Sequence, residues 1–491
     1  MDPWLLATLV FAAYLAVIII LKQTGLLQRA NIQAFGPFLV WRTVRFRSAL
    51  DRLARRRRLW AAFSRVSVVV VFITMGLMVL TLIAQTILLA RNPVETLPPQ
   101  YAIGIPGLNP IIPLGFGVLG LAVAILVHEG CHGILARAEG IKVRSVGLLL
   151  VLFPIGAFVE PDESEMRAAP LAKRQRIYAV GPASNILLAV ACATLFSAGF
   201  MASLAPVDDG VLVVALVPGG PAALAGILPY SLLDAVQADA GPLVDLHSPD
   251  DFDAFMAQAS PGDNVTVHVL YNGEAMTRRL QLAAREPPVA NQSSAVMGIY
   301  TDRVGMYNLP VTARPGVGAS LCGEKGHGLG SGCFQFVGAL YLGMPLRGLS
   351  PIPGELAALY TPTGAFASLG GLFWPLADAF YWLFWLNLMV GIFNALPLLP
   401  LDGGHMYRDG VLKLLRRFQK APVAPTTPEE EEALKEASRP HPADELFGGP
   451  RRPRDPLERR ALSITKYTSL LMLALILLPF VVPPLIRGAG A

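Results

Sequence analysis

The chain has 491 residues, 53% of them hydrophobic and only 15% charged, with a mean hydropathy of +0.51. That balance excludes both a disordered chain and an ordinary soluble domain, and it predicts a polytopic α-helical membrane protein. The formal net charge of +5 is accompanied by no nucleic-acid-binding motif, and four cysteines are too few for a disulfide scaffold.

Taken in order, Trp4–Leu21 is apolar and long enough to span a bilayer. Asp2 precedes it and Lys22 follows it, the reverse of a signal peptide's basic start, so a retained helix with its N-terminus outside is expected. Residues 23–65 carry ten arginines against one acid, Asp51, which places them on the cytoplasmic side. The run Arg55–Arg58 reads as a juxtamembrane cluster facing anionic lipid of the bilayer rather than as a nucleic-acid-binding arm. Val66–Leu89 then spans outward, closing an N-terminal region of two helices over 1–112.

Next comes a proline-free apolar run into His128-Glu129-Gly130-Cys131-His132. On a helix, His128 and His132 lie one turn apart on the same face, with Glu129 beside them. This is the H-E-x-x-H arrangement, in which two imidazoles hold Zn²⁺ and the glutamate activates a water. A proton relay or polar cluster in a transporter is the competing reading, since ionisable residues at membrane depth mark function of some kind. A mononuclear catalytic site also needs a third protein ligand from elsewhere in the chain.

Val143–Glu160 is apolar but interrupted by Gly147, Pro154 and Gly156, which suits a β-hairpin dipping into the protein better than a spanning helix. Ile177–Leu204 spans outward and carries Gly181-Pro182-x-x-Asn185. Residues 205–286 have the composition of a soluble α+β domain. Strands are predicted at Val211–Val217, Val265–Tyr271 and Arg278–Leu282, a helix at Asp250–Ala259, and a tight turn at Asn272-Gly273. The Gly- and Pro-rich segment 287–372 is placed outside, where Cys322 and Cys333 would be free to pair. Phe373–Leu396 spans inward and runs into Asp402, within a 373–410 segment. A cytoplasmic linker follows over 411–466, and 467–491 forms a last span that leaves the C-terminus outside. Six spans result.

HEGCH on one membrane helix, GPASN on the next and NALPLLPLDGGH on a later one resemble the site-2 protease family of intramembrane zinc metalloproteases. The resemblance covers the core at 113–204 and 373–410. GPFLVWRTVRF, residues 36–46, is similar to archaeal members. VVALVPGGPAALAGI resembles the start of a PDZ domain, although Pro229-Tyr230-Ser231 stands where Gly-Asp is usual. The resemblance implies a three-helix core with a membrane-dipping hairpin, and Zn²⁺ held by His128, His132 and Asp402. It also implies Glu129 as general base, with Asn185 either bonding the substrate carbonyl or oxyanion or making an interhelical hydrogen bond. His405 would support Asp402 from nearby. The implied partners are membrane proteins with transmembrane helices, cut at a site within the cell membrane towards the cytoplasm, after an upstream site-1-type protease. A non-catalytic scaffold or transporter that kept the fold is the alternative. His247, His268, His327 and His441 lack ligand spacing, and Cys131 points off the histidine face.

Overall fold

The computed structural model describes residues 3–44, 46–91, 112–151, 153–239, 241–284, 295–303, 354–418 and 456–488, with isolated positions between 104 and 109. Cys322, Cys333, His327, His441 and the proline-rich linker at 421–455 lie outside the described residues. Two compact units emerge, one from 1–103, 117–190 and 383–491, the other from 104–116 and 191–382.

The chain begins with α1 (Pro3–Gln23) and a short α2 (Leu26–Arg29), then β1 (Ile32–Phe35), β2 (Phe38–Thr43), α3 (Arg47–Ala54) and the long α4 (Arg57–Arg91). The histidine helix is α5 (Leu114–Ala138), followed by β3 (Val143–Val151), β4 (Phe153–Pro161), α6 (Glu163–Ala168) and α7 (Leu171–Thr194). Among the described residues five helices are long and apolar enough to cross a membrane: Arg57–Ile87, Leu114–Ala138, Leu171–Ser203, Gly364–Ala395 and Pro456–Leu478. The sixth expected span, Trp4–Leu21, coincides with α1, within which Phe11–Gln23 counts as a shorter apolar helix.

The segment expected to be a hairpin is half of a four-stranded antiparallel sheet in the order β1–β2–β3–β4. Trp41 opposes Leu148 and Val146 opposes Val159. β1 and β2 lie within the basic stretch 23–65, where the six residues FLVWRT carry too short an alternation to stand out. Gly147 permits the close pairing here, since a Cβ on it would sit 2.2 Å from the Trp41 carbonyl oxygen and 2.4 Å from the Phe158 ring. The sheet packs on α5, where a Cβ at Gly133 would lie 3.1 Å from both Leu50 and Val159. Leu50, Leu135, Ile141, Val143, Ile177 and Val180 are buried together beneath it.

A cap starts α6: Asp162 Oδ1 accepts from the backbone N–H groups of Ser164 (3.0 Å) and Glu165 (3.1 Å). The Ser164 hydroxyl, the Glu165 amide and the Arg144 guanidinium together hold this carboxyl well below the usual range. Beyond α7, a π-helical turn over Leu195–Phe200 and a 3₁₀ turn over Met201–Ser203 close the helix.

The second unit holds β5 (Leu204–Pro206), β6 (Val211–Leu216), α8 (Pro221–Leu224), β7 (Leu232–Ala238), β8 (Leu243–Asp245), α9 (Pro249–Gln258), β9 (Asn264–Tyr271) and β10 (Glu274–Gln281). Short strands β11 (Ala283–Ala284), β12 (Ala295–Val296), β13 (Ile299–Arg303) and β14 (Tyr360–Pro362) complete it. The main sheet runs β10–β9–β7–β6–β13, with β8 against β7. Positive φ at Asn272 (50°) and Gly273 (81°) makes the tight β9–β10 turn that this dipeptide favours. Val211, Val213, Leu233, Val236, Val265 and Val267 fill the core with Phe252 and Met256 of α9. The expected domain end at 286 is corrected: β13 pairs along β6, and Ala295 and Met297 lie in the same core. A five-residue strand amid Gly- and Pro-rich sequence gives too little periodicity to be seen.

The chain then enters α10 (Phe373–Ala395), breaks, and resumes as α11 (Asp402–Phe418) and α12 (Pro456–Gly488). The linker expected over 411–466 is therefore helical at both ends. A buried Leu412 marks the inner face of α11. Gly403 and Gly404 let α11 fold back on the break, since a Cβ would sit 2.3 Å from the Ala395 carbonyl oxygen and 2.7 Å from that of Leu398. The break is tied to α12 by the Leu399 N–H, which donates to Ser469 Oγ at 3.0 Å.

Candidate metal centre

The helical spacing of His128 and His132 brings their rings to a centroid separation of 4.8 Å and their Nε2 atoms to 3.2 Å. Asp402 is the first residue of α11, where the partial positive charge of a helix N-terminus favours a carboxylate. Its Oδ2 lies 2.9 Å from His128 Nε2 and 3.1 Å from His132 Nε2. These edges are close to the roughly 3.3 Å that separates ligands around a tetrahedral ion with 2.0–2.1 Å bonds.

The protonation pattern points to a cation. His132 Nδ1 lies 2.7 Å from the Ile177 carbonyl oxygen. Donation there fixes the tautomer and leaves Nε2 as an acceptor. The His132 Nε2 lone pair and the Asp402 carboxylate then converge with His128 Nε2, a set of ligand atoms that a metal ion satisfies. Gly181 keeps the space in front of them clear: a Cβ there would lie 2.2 Å from His132 Nε2 and 2.8 Å from His128 Nε2. Donor chemistry, triangle and cradle all fit zinc. Among the described residues, His128, His132 and Asp402 are the group of His, Cys, Asp and Glu side chains with converging donors.

Glu129 lies beside this triangle, and its Oε2 accepts the Val159 N–H at 2.9 Å. Its carboxylate is thereby held at the outer edge of β4. Asn185, one turn beyond Gly181 on α7, is fully buried, and among the described residues neither of its polar atoms has a hydrogen-bond partner, so no interhelical hydrogen bond to it is seen there. His405, one turn beyond Asp402, stacks on Tyr178 with centroids 5.0 Å apart and planes 17° from parallel. Burial holds its imidazole below the usual value, and it does not join the triangle. Cys131 packs at the edge of the apolar cluster around Leu135. His268 lies on β9 and His247 precedes α9, so neither contributes here.

Three features escaped sequence reasoning. The Val159 backbone contact and the Gly181 clearance depend on tertiary approach and leave no side-chain signal. The third is an ion pair between Arg174 and Asp409, which the spacing of Asp409 from Asp402 could have suggested.

A membrane-type helical chain with a His₂Asp triangle beside a glutamate has the architecture of a metallopeptidase. Residues 116–426 match peptidase family M50, and the chain belongs to that family, the site-2 protease family. It is similar to an uncharacterized protein of Methanocaldococcus jannaschii, 23% identical over 395 residues that cover 80% of this chain and 83% of the relative. It is also similar to a Mesorhizobium japonicum protein that bears the name "putative zinc metalloprotease". Those two chains are 25% identical over 345 residues, covering 60% of this chain and 88% of the other.

Proposed function

We propose that the protein is a zinc-dependent endopeptidase that cleaves transmembrane segments of other membrane proteins within the bilayer. The observation that carries this reading is the triangle of buried His128 and His132 with the half-buried Asp402, and the Glu129 carboxylate next to it. Zinc bound there would polarise the scissile carbonyl and make water acidic enough to attack it. Glu129 would take the proton from that water and deliver it to the leaving amine. Asn185, with both polar atoms buried and unpartnered, would donate to the substrate carbonyl as negative charge develops on it.

A substrate helix must unwind before its backbone can be cut, and the freed amides need partners away from water. The outer edge of β4 supplies them. The Val159 N–H points to that edge, and strand alternation puts the backbone groups of Ala157 there too. An unwound segment would pair along it and lie beside Glu129, as in β-augmentation.

The remaining assignments belong to the same proposal. The sheet of β6, β7, β9, β10 and β13 with α9 is read as a PDZ-like domain on the extracytoplasmic side, where it would filter substrates by size after a first cut by another protease. The arginine-rich stretch and the basic ends of α11 and α12 would face the cytoplasm across the cell membrane. The test is purified full-length protein assayed for zinc and for cleavage of a membrane-embedded reporter, with Glu129→Gln as control. Zinc-containing protein that cleaves, and that stops when Glu129 is replaced, is the expected result. Equal cleavage by the Glu129→Gln variant would remove the mechanism.

A further inference from the structure

Asp402 reaches the metal centre from the far side of a break in the chain. Because α10 ends at Ala395 and Pro397 and Pro400 interrupt the backbone, the direction of α10 does not set that of α11. Something else must hold α11 in register. Two turns beyond Asp402, on the same face, lies Asp409, fully buried. The guanidinium of Arg174, also buried near the start of α7, grips it through two parallel hydrogen bonds: Nε to Oδ2 at 2.8 Å and Nη2 to Oδ1 at 2.7 Å. Arg408 adds a weaker contact to Oδ1 at 3.2 Å.

The two helices meet as a ladder that descends one while climbing the other. Arg174 bonds Asp409, Tyr178 stacks on His405, and Gly181 faces the histidine nitrogens to which Asp402 points. The same stretch of α7 presents the Ile177 carbonyl that orients His132. One helix thus sets both a histidine and the aspartate. We propose that Arg174 and Asp409 are positioning residues, a buried clamp that fixes α11 against α7 so that Asp402 completes the metal centre.

The physical case rests on directionality. A planar bidentate fork tolerates little sliding or rotation. A slip of α11 by one turn, about 5.4 Å, would separate both bonded atom pairs. It would also leave the Arg174 guanidinium without its carboxylate and Asp409 with only the weaker Arg408 contact, both away from water, a state costlier than the fork itself. A buried pair adds little net stability over apolar residues of similar size, so its main effect is to select one register.

This inference rests on the metal-centre reading above, and its test separates the two. Zinc affinity would be measured by chelator competition on full-length protein in detergent, and folding by thermal unfolding of the metal-free form. Asp409→Asn should weaken zinc binding about 10–100-fold, the usual cost of disturbing a group that holds a ligand in place. The apolar pair Arg174→Met with Asp409→Leu should unfold near the wild-type temperature yet remain similarly weak for zinc, which a purely stabilising role would not produce. Wild-type zinc affinity in either variant, or an apolar pair that fails to fold, assigns the two residues to stability alone and overturns the proposal. Failure of the unmutated chain to bind zinc would instead overturn the metal-centre reading.

Discussion

Two arginine–aspartate pairs, one in each compact unit, have nearly the same chemistry and opposite settings. Arg174 and Asp409 meet at 2.7 Å with side chains 10% and 0% exposed, whereas Arg279 and Asp239 meet at 2.6 Å with side chains 65% and 41% exposed. In the helical unit, buried polar groups fix geometry: a fork between two helices, a carbonyl on an imidazole, a carboxylate between two imidazoles. In the sheet unit, the β-sheet takes its shape from a core of Val, Leu, Phe and Met, and the Arg279–Asp239 pair lies outside that core. Substitutions in the first unit should therefore show as lost chemistry with the fold kept. Those in the second should show as lost stability with the metal centre kept.

The strongest attempt to break this contrast is Gly181→Ala. One added methyl carbon would lie 2.2 Å from His132 Nε2, far inside van der Waals contact, so the imidazoles must move apart. Zinc affinity should fall more than about 100-fold, beyond the loss typical of supporting residues. The metal-free protein should be destabilised by less than about 3 kcal/mol, because the cost of overpacking the buried imidazoles is partly offset by the better helix propensity of Ala. Retained zinc by chelator competition would show that the donors do not meet where Gly181 clears space. Within the site, Asp402→Ala should emerge depleted of zinc, while Glu129→Gln should keep it and lose cleavage by about 10²–10⁴-fold. Metal analysis of the two inactive proteins separates ligand from base.

The legibility of the sequence follows the same divide. His128, Glu129 and His132 were readable because helical spacing alone puts them on adjoining positions of one turn. Asp402 was readable only through the motif around it, since 270 residues separate it from His132 and no local rule joins them. The helices and the β9–β10 hairpin follow from hydropathy and from Asn-Gly, signals carried within each segment. β2, by contrast, pairs with β3 far along the chain, and β1 joins the sheet only through β2. β13 is short and set in Gly- and Pro-rich sequence. Gly181 looked like a helix residue of low propensity, and its use shows only when another helix is laid against it.

A core substitution in the sheet unit comes next in size. Leu233 on β7 is fully buried among Val211, Val236 and Val267. Leu233→Ala should cost about 2–5 kcal/mol of stability in that unit, through lost burial and the cavity left behind. Zinc stoichiometry should not change. A parallel loss of zinc would mean that the units are energetically coupled and would end the proposed division of labour.

A smaller, pH-dependent effect is expected at the α6 cap. The Asp162 carboxyl is held below its ordinary value, so the unfolded chain takes up its proton first as pH falls. Its contribution is complete above the ordinary carboxylate value, near 4, and is lost as pH drops towards the lower folded value. Hydrogen exchange at Ser164 and Glu165 should therefore be slow at neutral pH and lose that protection in acid. Asp162→Ala should remove the protection at every pH. Protection in the variant equal to wild type would show that α6 starts without this cap.

The smallest effect is expected at the exposed pair, and it is the sharpest probe of the contrast. Arg279 Nη2 lies 2.6 Å from Asp239 Oδ2, closer than either bond of the buried fork, so distance alone would rank it the stronger contact. Solvent reverses the ranking. Both groups keep most of their hydration when unpaired, and ordering two long side chains offsets the gain, so such pairs contribute about 0.2–1 kcal/mol at most. Arg279→Ala should lower the stability of the sheet unit by no more than about 0.5 kcal/mol, and the difference should shrink as salt rises from 0.05 to about 0.5 M. Denaturant titration at the two salt concentrations measures this directly. A loss above about 1.5 kcal/mol that persists in high salt would place Arg279 in a fixed network like that of Arg174. Burial would then no longer explain why the two units respond differently to the loss of an arginine.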